Sequence, residues 1–146
     1  MASHAVALAT GGGAIEVYKG GADCRRRLVE ILKENSLPTG LLPFDDGILE
    51  LGYNKDDGFI WMKQKEKKQH YFSKAKLTVV YEAEVAAYLQ PSGMKKIKGV
   101  AAKELFLKIN AEEFSVDGDP VDGSIHVKTT IGISRVLPAS AFQLEV

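Results

Sequence analysis

Leu37-Pro38-Thr39-Gly40-Leu41-Leu42-Pro43-Phe44, then Ile48 to Tyr53, Asn54-Lys55-Asp56-Asp57-Gly58 and Phe59 to Met62, is the stretch whose reading decides the fold. Pro38 and Pro43 lack amide hydrogens and push Leu37 and Leu42 out of the helical region, so a preceding helix stops by about Asn35. Gly40 between them permits a backbone angle that side chains resist. Leu37, Leu41, Leu42 and Phe44 then make an apolar corner that packs under a sheet, each side chain worth roughly 1.5–3 kcal/mol when fully buried. Beyond the corner, Ile48, Leu49, Leu51 and Tyr53 face Phe59, Ile60, Trp61 and Met62 across a reversal closed by Gly58, which predicts a β-hairpin. Trp61, the sole tryptophan, is expected as a core anchor.

Toward the N-terminus, residues 1–13 end in three glycines and read as a disordered tail. Ala14 to Lys19 starts the helix or makes a separate turn, because Gly20 and Gly21 interrupt. From Asp23, the expected N-cap, Cys24, Leu28, Ile31 and Leu32 follow i, i+4, i+7, i+8, which predicts an amphipathic helix over about 22–35. Arg25, Arg26 and Arg27 belong to its wet face. They sit near the helix N-terminal end, where the dipole prefers negative groups.

Toward the C-terminus, Lys63, Lys65, Lys67, Lys68, Lys74 and Lys76 stand against Glu66 alone. They read as a solvated strand connection with charged gatekeepers. The competing reading is an anionic-surface patch, kept open by Tyr71 and Phe72 inside the run. From Leu77 to Leu89 the alternation is strict: Leu77, Val79, Tyr81, Ala83, Val85, Ala87 and Leu89 share the face expected to be buried. Short strands then recur over Ile97–Ala102, Leu105–Ile109, Phe114–Val116, Ile125–Ile131, Ile133–Val136 and Phe142–Leu144, with Leu105, Leu107 and Ile109 pointing inward. This punctuation predicts a mainly β, single-domain antiparallel β-barrel or sandwich over about 46–146, with an N-terminal α-helix and the whole domain spanning 14–146.

A chain of 146 residues suits one domain, and its formal net charge of zero offers no whole-chain steering toward nucleic acid or anionic membrane. Cys24 is alone, which excludes an internal disulfide and a multi-cysteine metal site and suits a reducing compartment. Without a basic n-region or a run of about 18 apolar residues, neither a secretory signal nor a membrane span is expected, and a cytoplasmic location is.

Catalytic patterns are weak. Ser73, Ser134 and Ser140 could act as nucleophiles with His70 or His126 as base, yet no Gly-x-Ser-x-Gly elbow exists. His126 shares a strand face with Ser124, Lys128 and Thr130 and is expected in water. Asp117, Asp119, Asp122 and Gly123 depart from calcium-loop spacing, and Lys128 occupies the place of the required glutamate. A strand-linking turn is the better reading. No metal, cofactor or nucleic-acid site is expected.

The chain resembles the plant-specific family called domain of unknown function 538, and within it is similar to the smaller-with-variable-branches proteins. The likeness runs from about Ala14 to the C-terminus. It is carried by Leu37-Pro38-Thr39-Gly40-Leu41-Leu42-Pro43, Gly52-Tyr53-Asn54, Gly58-Phe59-Ile60-Trp61-Met62-Lys63-Gln64-Lys65, Lys98-Gly99-Val100, Lys103-Glu104-Leu105 and Leu137-Pro138-Ala139-Ser140-Ala141-Phe142. The resemblance implies a compact β-barrel-like domain with an N-terminal helix, and roles in stress responses and trichome development. It also implies either lipid binding, like that of bactericidal/permeability-increasing proteins, or chlorophyll binding with hydrolysis. It supplies no catalytic residues.

The leading expectation is therefore non-enzymatic binding of a hydrophobic or amphiphilic ligand, lipid or pigment-like, with peripheral contact at a membrane surface. Tyr53, Trp61, Tyr81, Tyr88 and Phe106 are the candidate ligand-binding residues, and Lys63, Lys65, Lys67, Lys68, Lys74 and Lys76 the candidate anionic-surface patch. An esterase-like hydrolase acting on chlorophyll or another ester is one alternative. A protein-interaction module is the other. Apolar pockets leave faint sequence traces, and the same residues also describe a solid core.

Overall fold

The computed structural model describes residues 8–10, 13–45, 47–104 and 106–143. Ten strands join in one antiparallel sheet: β1 (Leu8–Thr10), β2 (Gly13–Lys19), β3 (Ile48–Asn54), β4 (Phe59–Gln64), β5 (Lys68–Phe72), β6 (Leu77–Gln90), β7 (Gly93–Glu104), β8 (Leu107–Asp117), β9 (Ser124–Thr129) and β10 (Ser134–Pro138). The path runs β1-β2-β3-β4-β6-β7-β8-β9-β10, and β5 pairs with β6 off this path. It does not close. Of the barrel and sandwich expected, the sheet is sandwich-like, with one helix, α1 (Gly21–Glu34).

Helix α1 stops where the prolines require. Ser36 takes a left-handed φ of 56°. Its amide donates to Lys33 O (3.0 Å) and that of Leu37 to Leu32 O (2.9 Å), the paired bonds of a Schellman stop. The helix start differs from expectation. The Cys24 amide already donates to Gly20 O (3.0 Å), so Gly20 is the cap residue, and Asp23 lies inside the first turn, ion-paired to Arg26 (3.2 Å). Cys24, Leu28, Ile31 and Leu32 are buried, and the helix packs on β2 and β3. Arg27 is less wet than its neighbours suggest: its guanidinium joins Glu16 (3.3 Å) on β2 to Glu30 (3.2 Å) and Glu34 (2.9 Å).

Several other sequence expectations are corrected. Ala14 to Lys19 is neither helix nor turn but part of β2, paired from Ile15↔Asn54 to Lys19↔Glu50. Within the tail, Leu8–Thr10 pairs with Gly13–Ile15; residues 1–7, 11 and 12 lie outside the described residues. β5 lies inside the basic run, and β8 continues unbroken through Asn110. Leu107 points outward, 65% exposed, because it lies beside the β7–β8 turn where no layer covers it. Leu105 and Leu144 lie outside the described residues, and Phe142 belongs to a 3-10 turn, Ala139–Phe142.

The sheet folds over at one level of β6. β5 pairs with Leu77–Tyr81 and β4 with Glu84–Tyr88, so Glu82 and Ala83 have no strand partner on that edge. Buried Gln64 fills the gap, its amide donating to Tyr81 O and Glu82 O (both 3.1 Å). On the other edge the register jumps from Tyr81↔Val100 to Ala86↔Lys98. Gly99 sits in that jump at φ 87°, where an added Cβ would run into Glu84 O. With both ladders broken at one level, the strands bend and two half-sheets face a shared interior.

The Leu37–Phe44 corner seals the join. Tyr81 donates its buried hydroxyl to Leu41 O (2.8 Å) and its ring meets Phe44 edge-on at 5.9 Å. Burial pushes the Tyr81 hydroxyl pKa well up, keeping it a donor. Gly40 donates to Phe142 O (2.7 Å), an approach that leaves no room for a Cβ.

Gln64→Leu should remove the bonds to the buried Tyr81 carbonyl and the part-buried Glu82 carbonyl and lower stability by about 1–3 kcal/mol, measured by urea unfolding. An unchanged midpoint would show that the bend does not depend on this amide.

Candidate functional site

The half-sheet built from the first part of β6, the end of β7, and β8 to β10 curls around a narrow apolar crevice. Leu77, Val79, Val100, Ala102, Ile109, Ala111, Ile125, Val127 and Leu137 form its walls, and Leu41 and Phe142 close its base. Its free volume is about 40 Å³. A second void of about 40 Å³ shares Leu77, Ala102, Ile109, Val127, Thr129 and Leu137 and carries the crevice out to Glu104, Ile133 and Arg135. The polar groups on the inner walls are spent internally. Tyr81 bonds Leu41 O, and Thr129 Oγ1 donates to Ile133 O (2.8 Å). What remains is oily surface.

Cover thins toward the mouth: Ile125 and Val100 inside the crevice are 0% and 2% exposed, whereas Leu77 and Leu137, which line both voids, are each 8% exposed. The mouth is spanned by an ion pair: the Arg135 guanidinium of β10 donates to the Glu104 carboxylate of β7. In sheet order β8 and β9 lie between these strands, so the pair forms only because the sheet curls.

The five aromatic residues singled out in the sequence are dispersed. Tyr53 is buried on the inner face of β3. Trp61 and Tyr88 share the outer face, joined through Phe59 at ring separations of 5.8 and 5.0 Å. Trp61 is half-buried rather than a core anchor. Its ring lies over Gly52, where a Cβ would collide with it, and its Nε1 donates to Glu50 (2.7 Å). Tyr81 lines the crevice, and Phe106 stands fully exposed at the β7–β8 turn. Only Tyr81 and Phe106 therefore bear on the crevice, one at its wall and one at the hairpin beside its mouth.

The lysines divide likewise. Lys63 pairs with Glu50 (3.9 Å) and Lys68 with Asp45 (2.7 Å). The Lys68 hydrogen bond, helped by the Gly47 amide, holds the Asp45 carboxyl below its ordinary value. Lys65 and Lys67 lie between β4 and β5, while Lys74 and Lys76 lie in the turn after β5. Lys67 reaches an open depression of about 360 Å³ that also includes Lys103, Phe106, Leu107 and Lys108.

The hydrolase candidates meet in part. His70, Ser73 and Ser140 line one cleft of about 230 Å³. Among the described residues neither serine hydrogen-bonds to His70, and no carboxylate lines that cleft to orient the imidazole. Ser134 is exposed at the start of β10, and His126 is exposed on β9, 3.8 Å from Asp117. Asp119 caps a turn through the amides of Val121 (2.6 Å) and Asp122 (3.2 Å), so the aspartate run is a strand-linking turn.

Sequence reading missed Glu104, Arg135 and Ile133. The available signal was Phe106-Leu107 beside a turn, since bulky apolar residues rarely crown a hairpin without a purpose. Arg135→Met should speed amide exchange along Ser134–Pro138, read by hydrogen-exchange mass spectrometry. It should cost under about 1 kcal/mol of global stability, because both partners are partly exposed.

Among the described residues no helix is long and apolar enough to cross a membrane, and no group of His, Cys, Asp and Glu is placed to hold a metal. No curated protein and no solved structure matches the chain. Residues 28–143 match the family model described as protein of unknown function, DUF538. That span takes in the last two turns of α1, the corner, the bend and every wall of the crevice, and on it the chain belongs to the DUF538 family.

Proposed function

We propose that the protein binds an amphiphile whose hydrocarbon tail enters the crevice from the Glu104–Arg135 end. The observation that carries this reading is an oily slot whose inner hydroxyls are already satisfied and whose lining runs out to exposed Ile133. Voids of about 40 Å³ are near the size of one water, so the guest displaces side chains instead of filling a standing chamber. A single alkyl chain suits such a slot better than a pigment ring. The cost of parting the walls falls at the mouth end, where Leu77 and Leu137 are the least covered of the buried wall residues. At the mouth, Arg135 can exchange the Glu104 carboxylate for an anionic head group with little change in charge. The hydrolase reading has less support, because His70 lacks both a serine partner and an orienting acid. Action in plant stress responses or trichome development stays part of the proposal and rests on the resemblance, while a cytoplasmic location rests on the lone Cys24.

The test is displacement of 1-anilinonaphthalene-8-sulfonate by dodecanoate below its micelle concentration. Wild type should bind dodecanoate. Ala102→Phe, which fills the shared stretch of both voids from a half-buried position, should bind at least about tenfold more weakly while keeping its circular dichroism. Equal binding by the two proteins, or none by wild type, overturns the reading.

A further inference from the structure

Three chain reversals meet at one end of the curled half-sheet. Thr78↔Lys103 and Glu104↔Leu107 place the Ser73–Lys76 turn beside the β7–β8 turn. The Thr130 amide donates to Asn110 O (3.0 Å), which sets the β9–β10 turn next to both. These tips carry Phe106, fully exposed, with Leu107, Ile131 and Ile133 also exposed. About half or more of each of these side chains is left in water, so they add little buried area to the fold. Lys103 shares a depression with Phe106 and Leu107, and Lys74 and Lys76 lie in the neighbouring turn after β5; among the described residues none of the three is in an ion pair, while Lys108 is held by Glu82 (2.7 Å). The one carboxylate at these tips, Glu104, is committed to Arg135. On a chain of zero net charge, this end is locally cationic as well as oily.

We propose that this end docks on an anionic lipid surface, with Phe106, Leu107, Ile131 and Ile133 entering the interface and Lys74, Lys76 and Lys103 meeting lipid phosphates and carboxylates. Separate protruding tips suit a fluid interface better than the flat core and polar rim of a protein–protein contact. Each lysine near an anionic surface raises partitioning about fivefold, an effect that salt screens. The inference rests on the amphiphile reading for the direction in which the crevice opens: docking turns its mouth to the membrane, so a lipid tail need not cross water.

The experiment is co-sedimentation with phosphatidylcholine vesicles, with and without phosphatidylserine, beside the dodecanoate titration. Wild type should sediment with phosphatidylserine vesicles, less so in high salt. Leu107→Ser with Ile131→Ser, neither of which lines the crevice, and separately Lys74→Glu, Lys76→Glu and Lys103→Glu together, should each cut partitioning at least about tenfold and leave dodecanoate binding intact. Lys55→Glu with Lys95→Glu, toward the other end of β6, should change partitioning little. Loss of vesicle binding in a wild type that still takes dodecanoate sinks the docking proposal alone. Vesicle binding that follows the variants while dodecanoate is never bound sustains docking and sinks the crevice reading. If the serine variants abolish a dimer in sedimentation velocity instead, the tips are a self-association surface and docking is overturned.

Discussion

Gln64 reaches into the gap between β4 and β5, and its amide donates to the backbone carbonyls of Tyr81 and Glu82 at the break in the ladder. A continuous ladder there would run the sheet on as one twisted layer. The broken ladder, together with Gly99 on the opposite edge, lets β6 and β7 turn sharply, so that a single sheet supplies both walls of its own core. The helix then covers one half and the curl of β6 to β10 encloses the other.

Much of the architecture was legible in the residues. Pro38, Gly40 and Pro43 place the helix stop and the corner, and strict alternation from Leu77 to Leu89 identifies the central strand. What escaped follows a common physical cause. Ile15, Val17 and Lys19 alternate as a strand should, but flanking glycines favour turns, and only pairing with β3 decides the matter. β5 opens with Lys, Gln and His before Tyr71 and Phe72, and it takes strand form along its whole length because β6 offers it an edge, so tertiary context decides where local propensity is mixed. Asn110 looks like punctuation, yet it sits inside β8 where its neighbours on β7 and β9 hold the ladder.

The site was less legible than the fold. Aromatic content pointed to Tyr53, Trp61, Tyr81, Tyr88 and Phe106 as a set, but strand alternation sends Tyr53 and Trp61 to opposite faces, and the bend separates Tyr88 from Tyr81. The crevice walls are small and branched aliphatic residues that any core would use. Its one polar feature, Glu104 with Arg135, joins residues far apart in sequence whose meeting depends on the curl. No spacing rule links them.

Trp61 lies over Gly52 on the outer face of β4, across the bend from the crevice. Intrinsic fluorescence therefore reports on the helix-bearing half and its Phe59–Tyr88 neighbours, while the tyrosine nearest the slot has its hydroxyl locked to Leu41. A guest parting the walls of β8 and β10 passes beyond the indole's surroundings. A flat emission trace during a ligand titration is thus the spectral signature this layout produces, and an optical label belongs on the β9–β10 hairpin.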